Sequence, residues 1–229
     1  MNLAPYIDHT VLKPGLLLAD VEKVCSEAVE YGFAAVCIPP LMVKAAANKL
    51  SELNAAGQSY RPKLATVIGF PFGYSAIEAK LAETVLAIVD GADELDVVIN
   101  YTAIKNNDWQ LVANEINHLM PIIRNKGKVI KVIVESGMLT NDEIIKCCDL
   151  YGAAGVDFMK TSTGYAEKGA SVEAVALMRK HLSDAIQIKA SGGIRDYEFA
   201  KALVDAGATR LGCSSSIAIV KGGAAQGNY

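Results

Sequence analysis

Lysine residues at the ends of apolar segments are the first sign of chemistry in this sequence. Lys160 closes the run GVDFMK, which begins at Gly155, and a small polar loop ending at Gly164 follows at once. An ammonium group is costly to remove from water, so a lysine at the end of a buried strand is either paired or kept neutral. Taken alone, the segment favours a simpler interpretation, in which the head group of Lys160 reaches the surface.

Two further charged residues change that interpretation. Lys189 lies on the next apolar segment along the chain, and Asp96 lies on an earlier one. A neighbouring cation disfavours the charged form of a lysine, and burial acts in the same direction. One of the two amines would then be partly neutral near pH 7, as a nucleophilic amine must be, and Asp96 could accept and return protons. The alternative is a buried Lys–Asp–Lys network that only stabilises the interior.

Loops rich in glycine and serine form a second candidate site. They follow the last three predicted strands and contain Gly164, Gly192, Gly193, Ser214 and Ser215. Such loops expose backbone N–H groups, and the last one opens a predicted short helix whose N-terminus attracts anions. Arg195 adds a positive charge just after these glycines. The set predicts a phosphate-binding site, although a tight turn requires glycine for its geometry alone.

Alternating strands and helices must bring these residues together. We predict eight strands, over residues 5–11, 34–38, 63–70, 94–100, 128–135, 155–160, 185–190 and 209–213. Helices are predicted between them, with Asp20 as one N-cap and with capping boxes that begin at Ser75 and Thr140. The alternation implies right-handed crossovers and a parallel sheet. Near-continuous apolar strands favour a closed (β/α)8 TIM barrel, one domain spanning residues 1–229.

In such a barrel the C-terminal ends of the strands meet at one mouth, where active sites are built. The predicted strands carry five charged residues of interest: Asp8, Asp96, Lys131, Lys160 and Lys189. So many charges on barrel strands predict a paired interior rather than a set of solvated surface groups. A doubly wound open sheet is less favoured, because no glycine-rich dinucleotide fingerprint follows the first strand.

Composition limits the classes of partner. The 229 residues carry 22 Lys and Arg against 25 Asp and Glu, a net charge of −3 without a basic cluster, which argues against nucleic acid or a membrane as the main partner. No leader segment or bilayer-spanning apolar run is expected. Five cysteines without metal-ligand spacing favour reduced thiols in a cytoplasmic protein. The three histidines lie far apart, so no metal site is predicted.

Seven motifs, taken in order and spacing, carry a resemblance to a known family. They are VCIP at 36, GFPFG at 69, ELDVVIN at 94, KVIVESG at 131, FMKTSTG at 158, KASGGIR at 189 and RLGCSS at 210. With them the sequence resembles the deoxyribose-phosphate aldolases, metal-free class I enzymes that use no cofactor. The resemblance covers nearly the whole chain. It implies reversible cleavage of 2-deoxy-D-ribose 5-phosphate to D-glyceraldehyde 3-phosphate and acetaldehyde through a lysine Schiff base.

The resemblance also implies roles for individual residues. Lys160 corresponds to the lysine that forms the imine, Lys189 to a second lysine that perturbs it, and Asp96 to the proton donor and acceptor. Lys131 and Asp8 correspond to supporting members of the polar interior.

The phosphate site and the end of the chain are matched in the same way. The glycine–serine loops correspond to the 5-phosphate cradle, with Arg195 near it, and Tyr229 corresponds to a C-terminal tyrosine that assists proton transfer. The family suggests a homodimer or a homotetramer.

Three positions depart from the family pattern, one of them in Cys37-Ile38-Pro39-Pro40, where a proline replaces a frequent asparagine. Tyr165 stands where some members have a phosphate-facing lysine, and Ser216 replaces a frequent glycine. Two other functions stay open from the residues alone: another lysine-imine barrel, such as a transaldolase-like or keto-acid aldolase, and a non-catalytic barrel that binds phosphosugars.

Overall fold

The computed structural model describes residues 1–58 and 60–223. Within them eight parallel strands form a closed barrel, in which strands adjacent in sequence pair with each other and the last pairs with the first. The strands are β1 (Ile7–Thr10), β2 (Ala35–Ile38), β3 (Lys63–Ile68), β4 (Glu94–Val98), β5 (Val129–Ile133), β6 (Phe158–Lys160), β7 (Gln187–Ser191) and β8 (Arg210–Cys213). The predicted (β/α)8 barrel is confirmed.

Helices surround the barrel. They are α1 (Leu18–Tyr31), α2 (Val43–Ala55), α3 (Ile77–Asp90), α4 (Tyr101–Lys105), α5 (Trp109–Asn125), α6 (Asn141–Ala154), α7 (Val172–His181), α8 (Tyr197–Asp205) and α9 (Ser216–Val220). Short 3-10 turns cover Ala4–Tyr6, Pro40–Met42 and Ser136–Met138. In the described part of the chain, no helix has both the length and the apolar character needed to cross a membrane.

Several strands end earlier than the sequence predicts, because their last polar residues belong to the loops. Asn100 is the N-cap of α4, where its side-chain oxygen accepts a hydrogen bond from the backbone N–H of Ala103 at 3.1 Å. Glu135 adopts a left-handed backbone conformation with φ of 52°, which no strand residue has. The short helix α4 was not predicted, since five residues are too few for a clear apolar period.

Of the three predicted N-caps, one is confirmed and two are wrong. Thr140 caps α6 in a capping box with Glu143, whose carboxylate accepts from the Thr140 N–H at 2.7 Å. Asp20 is instead the third residue of α1, where its carboxylate accepts from the Leu17 N–H at 3.1 Å. Ser75 caps nothing, because α3 begins at Ile77. The first turn of α3 is oriented by a buried contact rather than by a cap.

That contact involves Lys80, which is fully buried in the first turn of α3. Its ammonium donates to the Val98 carbonyl at 2.7 Å and pairs with the carboxylate of Glu115 on α5. Burying this lysine requires α3 to present position 80 to the barrel, so the tertiary contact decides where the first turn lies.

Apolar side chains fill two regions of different size. The larger one lies between the outer faces of the strands and the helices, as expected for a parallel sheet covered on its outer side. The smaller one joins Ala35 and Cys37 of β2 with Ala65 and Val67 of β3, together with Leu12 and Phe70. These small residues occupy one side of the barrel interior and leave room for long side chains from the opposite strands.

Candidate active site

The strand register places the predicted charged residues side by side. Lys160 on β6 lies opposite Lys189 on β7, and Asp96 on β4 lies opposite Lys131 on β5. Side chains alternate between the two faces of a strand, and these residues are on the inner face. Each of the four is no more than 3% exposed, so the interpretation of Lys160 as a surface lysine is wrong.

Asp96 is the centre of the resulting ion-pair network. Its Oδ1 accepts from Lys131 Nζ at 2.7 Å, and its Oδ2 accepts from Lys160 Nζ at 2.8 Å and from Lys189 Nζ at 2.7 Å. Three lysine amines therefore surround one carboxylate. Sequence reasoning placed these residues on neighbouring strands, and the structure brings them into direct contact.

Asp8 joins the network from β1 and brings in two residues that sequence reasoning missed. It pairs with Lys189 and, through Oδ1, with Arg210 at 2.7 Å. Glu94 bonds Lys131 at 2.6 Å and Arg210 at 3.1 Å. Glu94 lies two positions before Asp96, so the period of two along a strand was a signal that could have found it.

Charge counting within this network shows why one amine can be neutral. Among residues 1–58 and 60–223, the connected ion pairs join four cationic side chains to three carboxylates: Lys131, Lys160, Lys189 and Arg210 to Asp8, Glu94 and Asp96. The charges balance when one amine has lost its proton. A buried excess charge is costly, so this balance favours the neutral form of the least paired amine.

Lys160 is that amine. Among the described residues it pairs with one carboxylate, Asp96, and shares that oxygen with Lys189. Burial lowers the pKa of Lys160, and the nearby Lys189 cation lowers it further, against the opposing effect of Asp96. Burial would also lower the pKa of Lys189, but Asp8 and Asp96 outweigh it and raise that pKa above its usual value.

The two interior aspartates carry their negative charge. Burial alone would raise the pKa of Asp96, but the surrounding Lys131, Lys160 and Lys189 hold it well below its usual value. The pKa of Asp8 is likewise lowered, because Lys189, Arg210 and Lys131 outweigh the effect of burial. An ionised carboxylate at the centre of the network can accept a proton, and it orients the amines that donate to it.

A cavity of about 110 Å³ opens at the mouth of the barrel next to Lys160. Its lining contains every residue predicted for the phosphate site: Gly164, Gly192, Gly193, Arg195, Ser214 and Ser215. Thr10, Leu12 and Thr163 also line it. One cavity therefore joins the amine with the lowered pKa to a set of loops rich in backbone N–H groups.

Close backbone contacts explain the glycines of this cavity. Gly164 and Gly192 have φ of 88° and 86°, which residues with a side chain rarely adopt. A Cβ on Gly192 would lie 3.2 Å from the Gly164 Cα, so the loops after β6 and β7 touch through glycine. The Ser191 N–H donates to Thr161 Oγ1 at 3.1 Å and further links the same two loops.

Another glycine of the cavity, Gly212, makes room for the charge network. A Cβ on Gly212 would lie 2.8 Å from the Cβ of Ser191 and 3.2 Å from the Cε of Lys189. Gly212 is on β8, in register with Ser191 and with Asp8. The absence of a side chain at this position therefore allows Lys189 to extend across the barrel toward β1.

Two side chains that sequence reasoning left without a role order the neighbouring loop. Glu135 accepts from the Thr163 N–H at 3.2 Å, and burial raises the pKa of this carboxyl against the effect of those hydrogen bonds. The Tyr165 hydroxyl donates to the Leu12 carbonyl at 2.9 Å. This phenol is therefore engaged in joining two loops.

The two predicted sources of positive charge at the cradle are both present, at its edge. Arg195 lines the cavity but is an exposed residue at its rim. Helix α9 follows Ser214 and Ser215 directly but has only five residues. Tyr229 lies outside the described residues.

Comparison with known proteins shows the family of this chain. Residues 3–227 match the family model described as "DeoC/LacD family aldolase". A deoxyribose-phosphate aldolase of Thermococcus gammatolerans is 48% identical over 222 residues, which cover 97% of this chain and 96% of that protein.

Two solved structures are similar over almost the same length. An aldolase designated QR15 has a TM-score of 0.88 at 38% identity, covering 96% of this chain and 95% of that chain. A tetrameric deoxyribose phosphate aldolase from Aeropyrum pernix has a TM-score of 0.87 at 32% identity, covering 96% and 89% respectively. The chain belongs to the DeoC/LacD family of aldolases.

Proposed function

We propose that this chain is a class I aldolase that reversibly cleaves 2-deoxy-D-ribose 5-phosphate to D-glyceraldehyde 3-phosphate and acetaldehyde. The observation that carries the proposal is the position of Lys160. Its amine is buried, its pKa is lowered by burial and by Lys189, and it lines the cavity formed by the glycine–serine loops. An amine in this setting is a nucleophile beside an anion-binding site.

Schiff-base formation uses the neutral amine of Lys160. Its nitrogen attacks the aldehyde carbon of the substrate, and the aldehyde oxygen takes up two protons and leaves as water. Protonation of the new C=N bond gives an iminium ion, which draws electrons from the adjacent carbons. Because the iminium keeps a positive charge at the position of the amine, Asp96 Oδ2, 2.8 Å from Nζ, stabilises it.

Carbon–carbon cleavage then requires a proton acceptor. The C3 hydroxyl loses its proton, the C2–C3 electron pair moves toward the iminium, and the phosphorylated aldehyde leaves an enamine on Lys160. Protonation of the enamine at C2, followed by hydrolysis, releases acetaldehyde and restores the amine. We assign proton acceptance to ionised Asp96, and its 2.7 Å bond to Lys189 Nζ is a path for that proton.

Phosphate binding is assigned to the loops after β6, β7 and β8. Their backbone N–H groups, with Ser214, Ser215 and the Arg195 guanidinium at the rim, suit a phosphate dianion. We also propose that the enzyme acts in the cytoplasm as one barrel domain that assembles into a homodimer or homotetramer. The tetrameric relative from Aeropyrum pernix supports self-association.

Borohydride trapping tests the proposal directly. The protein is incubated with acetaldehyde, reduced with sodium borohydride, digested, and its peptides are mapped by mass spectrometry. We expect a reduced adduct on Lys160 in the wild type and none at that position in Lys160→Met. Lys180→Met, which changes an exposed lysine on α7, is the matched control and should be trapped as the wild type is.

The same preparation distinguishes the alternatives. Cleavage of deoxyribose 5-phosphate, and in the reverse direction addition of acetaldehyde but not of dihydroxyacetone or pyruvate to D-glyceraldehyde 3-phosphate, supports the proposed substrate. An adduct on another lysine would contradict the mechanism. Phosphosugar binding without any adduct would indicate a non-catalytic barrel.

A further inference from the structure

A hydrogen-bonded chain behind the barrel wall reaches the loop that carries Ser214 and Ser215. His9 follows the inward-facing Asp8 on β1 and therefore points outward, where it is 4% exposed. Its Nε2 lies 2.8 Å from Glu27 Oε2 on α1, and its Nδ1 lies 2.9 Å from Ser216 Oγ at the start of α9.

The types of the groups determine which atom donates in each hydrogen bond from Glu27 through His9 to Ser216. A carboxylate only accepts, so His9 Nε2 carries a hydrogen and donates it to Glu27. Burial lowers the pKa of His9 against the opposing effect of Glu27, which favours the neutral ring. Nδ1 of a neutral ring then accepts from the Ser216 hydroxyl. The Cys213 carbonyl, 2.9 Å from Ser216 Oγ, competes with Nδ1 as the acceptor of the single hydroxyl hydrogen.

These contacts hold both ends of the loop that lines the phosphate cavity. Cys213 is the last residue of β8, and Ser216 is the first residue of α9. The loop between them consists of Ser214 and Ser215, which line the cavity. Since α9 has five residues, it offers few backbone hydrogen bonds of its own.

We propose that His9 and Ser216, supported by Glu27, are positioning residues that hold the Ser214–Ser215 loop in the conformation that binds the substrate's phosphate. Ser216 is fully buried and acts through the loop rather than by touching substrate. Backbone N–H groups bind an anion well only when they are already oriented toward it. The inference rests on the proposed function and assigns a role to a serine that departs from the family pattern.

Steady-state kinetics of Ser216→Ala and His9→Gln test this role. We expect KM for 2-deoxyribose 5-phosphate to rise about three- to tenfold, the equivalent of one hydrogen bond, with kcat within twofold. Cleavage of unphosphorylated 2-deoxyribose should stay within twofold of the wild type. The KM of the double variant should be no higher than that of the poorer single variant, because both changes remove the same hydrogen bond between His9 and Ser216.

Thr140→Ala is the matched control. It removes the capping hydrogen bond of α6, at a comparable loss of stability, and should leave KM unchanged. If Ser216→Ala and His9→Gln lose catalytic efficiency equally on the phosphorylated and the unphosphorylated substrate, or leave KM unchanged, the inference is overturned.

Failure of the proposed function gives a different result, since the wild type would then cleave neither substrate. In that case calorimetric titration with inorganic phosphate tests the inference by itself. Binding to Ser216→Ala that is three- to tenfold weaker than binding to the wild type supports it, and equal binding overturns it.

Discussion

Replacing Lys189 by Met tests the electrostatic control of the amine of Lys160. Methionine has a similar length and no charge, so the change removes a cation without opening a large cavity. Asp8 keeps its pair with Arg210, and Asp96 keeps its pair with Lys131. Because neither carboxylate is left buried without a partner, we expect the variant to fold.

The expected change in the protonation free energy of Lys160 follows from the distance between its amine and that of Lys189, which is limited because both bond the same oxygen of Asp96. The amines of Lys160 and Lys189 bond Asp96 Oδ2 at 2.8 and 2.7 Å, so the two nitrogens are at most about 5.5 Å apart. Two unit charges at that distance repel by about 3 kcal/mol at an effective dielectric constant of about 20. Without Lys189 the protonated form of Lys160 is favoured by that amount, which corresponds to about a hundredfold smaller neutral fraction wherever the ammonium predominates.

The assay is the pH dependence of the initial rate of imine trapping with acetaldehyde and borohydride. Loss of Lys189 raises the pKa of Lys160, so the rising limb of the profile should move to higher pH. Near neutral pH, trapping should slow by one to two orders of magnitude, while Lys180→Met behaves as the wild type. A profile that stays in place, or one that moves to lower pH, would refute the assignment of Lys189 as the cation that keeps Lys160 neutral.

Three further predictions follow from the same contacts. Asp96→Asn should lower kcat/KM by about 10²–10⁴ and, by leaving the buried network with one uncompensated positive charge, lower the free energy of unfolding by about 3–5 kcal/mol, measured by kinetics and urea denaturation. Gly212→Ala should raise KM and cost about 1–3 kcal/mol of stability, because its Cβ would meet Ser191 and Lys189; an unchanged melting temperature would contradict this steric account. The pKa values of Asp8 and Asp96 are lowered in the folded state, so their contribution to stability is complete above about pH 4, the usual aspartate value in an unfolded chain, and is lost as pH falls further. Urea denaturation at pH 7, 4 and 3 should show this decline.

Local patterns were sufficient for some features of the structure and not for others. The alternation of apolar strands with helices predicts the barrel, and consecutive parallel strands then place Lys160 beside Lys189. The capping box at Thr140 was found because its partner, Glu143, is only three residues away. The start of α3 was misplaced because Lys80 is held by Val98 and Glu115, which are distant in sequence.

From the residues alone we predict the barrel, five charged residues of its interior and the glycine–serine loops at its mouth, because each depends on the period of a strand or on a short motif. Which of the two amines has the lowered pKa emerged only from the tertiary structure. Closing the barrel pairs β1 with β8 and brings Asp8 to Lys189, 181 residues away, while Lys160 shares Asp96 with other cations. The physical reason is that a buried pKa depends on the number of nearby charges, and those charges come from strands at both ends of the chain.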